Sequence, residues 1–89
     1  EQQVRGGHAH RSSSQVIICL KGCAEVVLED PLGEMITYTL SKPNQGLLIP
    51  PMWWGKMLFQ EEALLLGMDS DEFSEGDYIR DKKEFYAQD

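Results

Sequence analysis

Short extended runs set off by turn residues recur along this chain at close intervals, and that spacing leaves little choice of fold. Gly6 to Arg11, Gln15 to Lys21, Ala24 to Glu29, Met35 to Leu40, Gly46 to Ile49, Trp54 to Phe59 and Ala63 to Met68 form the series. Regular short strands of this kind predict an all-β sandwich or barrel. Asp30-Pro-Leu-Gly33 has Pro and Gly where a tight reversal wants them, so the flanking runs should pair as a hairpin. Within Met35 to Leu40, the alternating set Ile36, Tyr38 and Leu40 is the expected core face. Lys42-Pro-Asn-Gln-Gly46 is a second turn, and Pro50-Pro51 removes two successive backbone donors, which marks a strand end or a bend at a rim.

After Met68 the chain turns polar, and Asp77 is expected to cap a short helix with Tyr78, Ile79, Phe85 and Tyr86 as its apolar stripe. So short a helix is unstable alone and must dock on the barrel or on a neighbouring subunit. The 89 residues are expected to form a single domain, residues 1–89, of a size at which burial is marginal and a partner subunit helps. Exposed sheet edges point the same way, to a homodimer. The opening Glu1-Gln-Gln-Val carries no start signal, so the domain is expected to lack its N-terminal strand or strands.

The net charge of −7 is concentrated in the tail: residues 61–89 hold ten acids against three bases, whereas residues 1–60 balance five against five. With no basic stripe interleaved with aromatics, nucleic acid is excluded as a partner. No run approaches the roughly 20 apolar residues of a membrane span, and no secretion signal opens the sequence. Cys19 and Cys23 have neither zinc-ribbon nor thioredoxin spacing. Reduced thiols suit a cytoplasmic protein.

His8 and His10 stand one residue apart on an extended segment, so they share a face. They precede a β-branched, apolar run, which sets the pair against a buried strand. A structural role suits a lone strand histidine better than two facing one way. His-x-His also chelates metals, yet first-row sites usually take three or four protein ligands and the chain has no third histidine. No metal and no cofactor are expected.

The spacing His8-x-His10, Gln15, Gly22 resembles the first cupin motif, with Gln in place of the usual Glu. Gly46-Leu-Leu-Ile-Pro-Pro-Met-Trp-Trp-Gly55 matches the second motif but has tryptophan and glycine where a further histidine is usual. Three pieces together are similar to the WxcM-like nucleotide-sugar 3,4-ketoisomerases: Arg5-Gly-Gly-His-Ala-His-Arg11, Leu48-Ile-Pro-Pro-Met-Trp-Trp54, and Asp77-Tyr-Ile-Arg-Asp81 with Glu84-Phe85. The resemblance implies a cupin jelly-roll barrel with a short C-terminal helix, and a homodimer. It also implies a dTDP-4-keto-6-deoxyhexose substrate whose ketone moves from C4 to C3, for the deoxyamino sugars of bacterial surface glycans such as lipopolysaccharide.

Moving a ketone to the adjacent carbon needs one base and one acid acting through an enediol. Imidazole suits both roles, because its ordinary pKa lies near neutrality. Residues i and i+2 of a strand lie about 6.6 Å apart, which lets two imidazoles reach neighbouring carbons of one ring. The resemblance leans towards His8 as the base at C3 and His10 as its acid partner, and the spacing alone permits the reverse.

Arg5 and Arg11 can each fork onto a diphosphate or remain surface charges. Arg11 alternates with His10 and should point away from the histidine face, which favours Arg5 as the contact. Gln15, in phase for the interior, can bond a sugar hydroxyl, orient a histidine or be a buried amide. Trp53 and Trp54 alternate faces, with Trp54 expected to close the cavity wall, and Tyr38 can stack on a base or pack in the core. A nucleotide-sugar epimerase, a non-catalytic sugar-binding cupin and a metal-dependent dioxygenase-type cupin are the competing functions.

Overall fold

A computed structural model describes residues 2–60, 63–72 and 74–87, with side chains for 7–58, 63–72 and 74–87. The strands are β1 (Gln2–His10), β2 (Gln15–Lys21), β3 (Ala24–Glu29), β4 (Met35–Leu40), β5 (Gly46–Ile49), β6 (Trp54–Gln60), β7 (Leu64–Asp69) and β8 (Tyr78–Ile79). A 3-10 turn (Glu75–Asp77) precedes β8, and an α-helix, α1 (Lys82–Tyr86), the only one among the described residues, follows it. No helix among the described residues is long and apolar enough to cross a membrane.

The strands form two antiparallel sheets, ordered β4-β3-β6-β1-β8 and β5-β2-β7. They face each other across one core, in which Ile17 and Cys19 of β2 and Ile49 of β5 meet Ala24, Val26 and Leu28 of β3 and Leu40 of β4. This two-layered jelly-roll arrangement, with its short helix, is the all-β fold expected. Neighbours in each sheet are mostly distant in sequence, so the barrel closes only when both ends of the chain have arrived.

The Asp30–Gly33 hairpin forms as its residues require. The Gly33 N–H donates to the Asp30 carbonyl at 3.0 Å, and Asp30 Oδ1 accepts from the N–H groups of Leu32 and Glu34, both at 2.9 Å. Gly33 has φ 91°, a left-handed value that glycine adopts without a Cβ penalty. The strand after the hairpin departs from expectation. Ile36 and Tyr38 pair with Leu28 and Val26 and so sit on the core-facing side, yet they are 41% and 42% exposed, and only Leu40 is buried. The cause is geometric: β4 is the edge of a five-stranded sheet, and the opposing sheet has three strands.

The C-terminal segment is also built differently from its reading as one helix. Tyr78 and Ile79 are extended and pair with His10 and Ala9 of β1. The cap of α1 is Asp81, whose carboxylate accepts from the Lys83 N–H at 3.0 Å, not Asp77. Asp81 sits in an extended conformation one residue before Lys82, as an N-cap must. Docking on the barrel is what stabilises this five-residue helix. Phe85 is fully buried in a second core with Ala9, Ile79 and Trp54, and its ring lies 5.6 Å from that of Trp54.

Phe85→Ala should therefore cost about 3–5 kcal/mol, the usual range for emptying a buried aromatic site. Urea unfolding followed by circular dichroism measures this, and an unchanged midpoint would show that α1 does not hold β8 in place.

Candidate active site

Strand β1 separates two environments. Gly6 pairs with Lys56 and His8 with Gly55, which leaves Gly7 as an extra residue at a bulge. Its φ of 81° is one that a side-chain-bearing residue resists. Beyond the bulge, Ala9 enters the outer core with Trp54 and Phe85, while His8 and His10 take the opposite face, towards the barrel interior. The bulge also returns the register position of Arg5, opposite Met57, to the same side of the sheet as that of His8. The Arg5 side chain lies outside the described residues.

Three rings meet on the inner face. The His8 and His10 centroids are 5.2 Å apart at 77°, an edge-on contact, and Tyr78 lies 5.1 Å from His8 and 4.5 Å from His10. His10 is 5% exposed. Its Nδ1 lies 3.3 Å from Asp77 Oδ2, and its Nε2 is buried without a hydrogen-bond partner among the described residues.

Asp77 is the hub of the polar contacts. Its Oδ1 accepts from the Ser12 N–H at 2.9 Å and the Ser12 hydroxyl at 2.7 Å, and its Oδ2 accepts from the Ser13 N–H at 3.2 Å. The Ser12 hydroxyl leads these donors in holding the Asp77 pKa down, to about 2. Asp77 is therefore ionised near neutral pH.

The neighbouring groups are tuned too. Burial, then the charges of His10 and Arg80, push the His8 pKa below 6.5 against an opposing pull from Asp69, so His8 is a neutral imidazole at neutral pH. Burial first and the Asp69 charge next raise the Tyr78 pKa, which keeps its phenol protonated. Arg80 lies over the Tyr78 ring, 4.4 Å from its centroid, and grips Glu75 through bonds of 2.7 and 3.1 Å. An open cleft of about 300 Å³ beside Asp77 is lined by Ser12, Ser13, Asp71 and Glu72. A narrower recess next to it reaches His10, Asp69 and Tyr78.

The sequence-derived candidates divide. His8 and His10 share the inner face, and Gln15 alternates with the buried Ile17 and Cys19, its amide lying against Gly67. Arg11 turns outward and is exposed, its Nε donating to the Gly76 carbonyl and its Nη2 to Glu84 Oε2, both at 3.2 Å. Trp54 does not close the histidine cavity. Gly55 takes the inward position opposite His8, which by alternation sends Trp54 outward onto Phe85, and Trp53 is the tryptophan that packs against the barrel core. Tyr38 is separated from β1 by β3 and β6.

Sequence reasoning missed Asp77 and Tyr78 as members of the site. Two signals pointed to them: three consecutive serines directly after the histidines, needing an acceptor, and a second cap candidate at Asp81 that frees Asp77 for other work.

A model of the family described as FdtA: WxcM-like, C-terminal matches residues 1–89. The chain belongs to this family. Among curated relatives of the WxcM-like chain, the TDP-4-oxo-6-deoxy-alpha-D-glucose-3,4-oxoisomerase of Aneurinibacillus thermoaerophilus is 37% identical over 86 residues, covering 94% of this chain and 60% of that protein. WlaRA, a TDP-fucose-3,4-ketoisomerase from Campylobacter jejuni, superposes with a TM-score of 0.89 at 30% identity, over 97% of this chain and 64% of that one. QdtA, a sugar 3,4-ketoisomerase from Thermoanaerobacterium thermosaccharolyticum solved in complex with TDP, gives 0.88 at 35% identity, over 94% and 61%. The chain thus spans about three-fifths of the length of the relatives it matches.

Because Asp77 has a folded pKa of about 2 against an ordinary 3.8, it favours the folded state above pH 3.8, and that contribution disappears as the pH falls towards 2. Acid unfolding of the wild type should steepen in this window, and Asp77→Ala should flatten it. Parallel acid titrations of the two proteins would count against the ion's role.

Proposed function

We propose that this chain is the catalytic domain of an isomerase that moves the ketone of a dTDP-4-keto-6-deoxyhexose from C4 to C3. The pairing of His8 and His10 on one inner face, with the buried Nε2 of His10 free of any described partner, is the observation that carries the reading. The kinship with TDP-sugar ketoisomerases supports this substrate class.

The reaction moves protons only. A base takes the proton from C3, the C3–H electron pair forms a C3–C4 double bond, and the C4 carbonyl oxygen is protonated to give an enediol. The C3 hydroxyl then loses its proton and becomes the carbonyl, while the double-bond pair collects a proton at C4. His10 is assigned the C3 proton, because the Nε2 lone pair has no hydrogen-bond partner among the described residues and Asp77 backs the other nitrogen. His8, neutral and able to donate an N–H, serves at the carbonyl end, where a preorganised donor stabilises the enediolate oxygen. This reverses the division of labour that the family resemblance suggested. The acid-lined cleft beside Asp77 suits the uncharged sugar and repels a diphosphate, which is assigned to the Arg5 side.

Solvent deuterium exchange tests the roles. His10→Asn should abolish washout of the C3 proton and lower turnover by about 10²-fold or more, with substrate affinity little changed. His8→Asn should keep a slow washout while losing turnover, and Arg5→Ala should weaken binding more than turnover. Normal exchange and turnover in both histidine variants would make the histidines structural and end the isomerase reading.

A homodimer completes the proposal. Val16, Ile18, Leu48, Leu64, Leu66 and Met68 lie on the outer side of the β5-β2-β7 sheet, where Val16 pairs with Leu48 and Met68, and Ile18 with Leu66. Leu48, Leu64, Leu66 and Met68 are 42 to 59% exposed. For a chain of net charge −7, a self-contact needs a patch free of carboxylates, and these six residues carry none, the charge beside them being Lys21, opposite Leu64. Leu66→Glu should convert the dimer to a monomer by light scattering, and a dimer that persists places the interface elsewhere. A nucleotide-activated substrate and the free thiols Cys19 and Cys23 fit a cytoplasmic enzyme of surface-glycan deoxyamino sugar synthesis.

A further inference from the structure

An imidazole acts as a base only through a ring nitrogen that carries no proton, and the two nitrogens of His10 stand in different surroundings. Nδ1 is 3.3 Å from Asp77 Oδ2, and Nε2 is buried without a partner among the described residues. An ionised carboxylate only accepts hydrogen bonds, so the hydrogen between His10 and Asp77 belongs to Nδ1. The other contacts of Asp77 enforce the same polarity. Ser12 donates twice to Oδ1 and the Ser13 N–H donates to Oδ2, so Asp77 meets donors at both oxygens. Ser13 keeps its hydroxyl for Asp71 Oδ2, at 3.1 Å.

We propose that Asp77 is the positioning residue of this site: held by Ser12 and Ser13, it locks His10 in the Nδ1–H tautomer and leaves Nε2 as the proton acceptor. The use of that nitrogen in catalysis rests on the isomerase reading, whereas the tautomer itself does not. The low pKa of Asp77 agrees, since a carboxylate that never protonates near neutrality never becomes a donor to Nδ1. Asn at this position would do so. Its carbonyl oxygen would take the Oδ1 place, where the two shorter Ser12 bonds outweigh the single 3.2 Å bond from the Ser13 N–H at Oδ2, and its NH₂ would then point at Nδ1 and drive the His10 proton to Nε2.

The chain has only two histidines, so the ¹⁵N spectrum of histidine-labelled protein holds two imidazoles, assigned with His8→Asn. The wild type should show a protonated Nδ1 and a bare Nε2 at His10, and Asp77→Asn should invert the pattern. Turnover should fall by about 10²- to 10⁴-fold with KM little changed. Adding Asp77→Asn to His10→Asn should cause no further loss. A wild-type His10 protonated at Nε2, or an Asp77→Asn protein that keeps Nδ1–H, overturns the proposal. So does a full additional loss in the His10→Asn background, which would mark a purely structural tie. If Asp77→Asn does not fold, the wild-type spectrum decides, together with Ser12→Ala, which retains the carboxylate and must retain Nδ1–H. A wild type with the stated tautomer but no isomerase activity would end the isomerase reading and leave the role of Asp77 standing.

Discussion

The carboxylate of Asp77 is the contact on which the two halves of this site depend. It joins the residues just after β1 to the segment just before β8, positions separated by more than sixty residues of chain. Hydrogen bonds to a charged acceptor contribute roughly 1.5–3 kcal/mol each where they are shielded from water. Several donors sharing one acceptor also fix its direction. The Arg11 N–H adds a backbone bond to the Asp77 carbonyl at 2.7 Å, which aligns β8 with the end of β1. Tyr78 then follows Asp77 directly into the histidine cluster.

Two cores flank β1, and the site depends on their staying apart. On one side the sheets close on Ile17, Val26 and Ile49, and on the other Trp54 and Phe85 clamp Ala9 and Ile79. Small residues make this possible. Ala9 lets the aromatic pair approach the strand, and Gly55, opposite His8, leaves the inner face open where a side chain would fill it. The bulge at Gly7 sets the phase for both. A one-residue change of register would exchange the contents of the two faces, burying imidazoles against tryptophan and turning Ala9 inward.

The electrostatics of the site are local, although the chain is strongly acidic. Most of the surplus acids lie in the C-terminal third, and several are committed to partners: Glu75 to Arg80, Glu84 to Arg11 and Asp77 to the serines. Arg80, kept in place by Glu75, lies over Tyr78 and disfavours a second positive charge at His8. Burial is the larger cause of the neutral imidazole, and the acidic tail acts on it in both directions, through the Arg80 that Glu75 positions and through the opposing charge of Asp69.

Much of the fold was legible in the sequence, because strand alternation and turn chemistry act over a few residues. The hairpin at Asp30–Gly33, the bend at Pro50-Pro51 and the shared face of His8 and His10 each follow from local rules. What the sequence could not decide were matters of distant partnership. Ile36 and Tyr38 alternate correctly yet stay exposed because the facing sheet is narrower than their own, a property of the assembled barrel. Trp53 and Trp54 are equivalent by pattern until the pairing of Gly55 with His8 fixes which one faces inward. Asp77 has the chemistry of a helix cap, and only the arrival of Ser12, Ser13 and His10 from the far end of the chain makes it a histidine's partner instead. A sequence determines which conformations a residue can adopt and which bonds it can make. The tertiary structure decides which of those bonds finds its partner first.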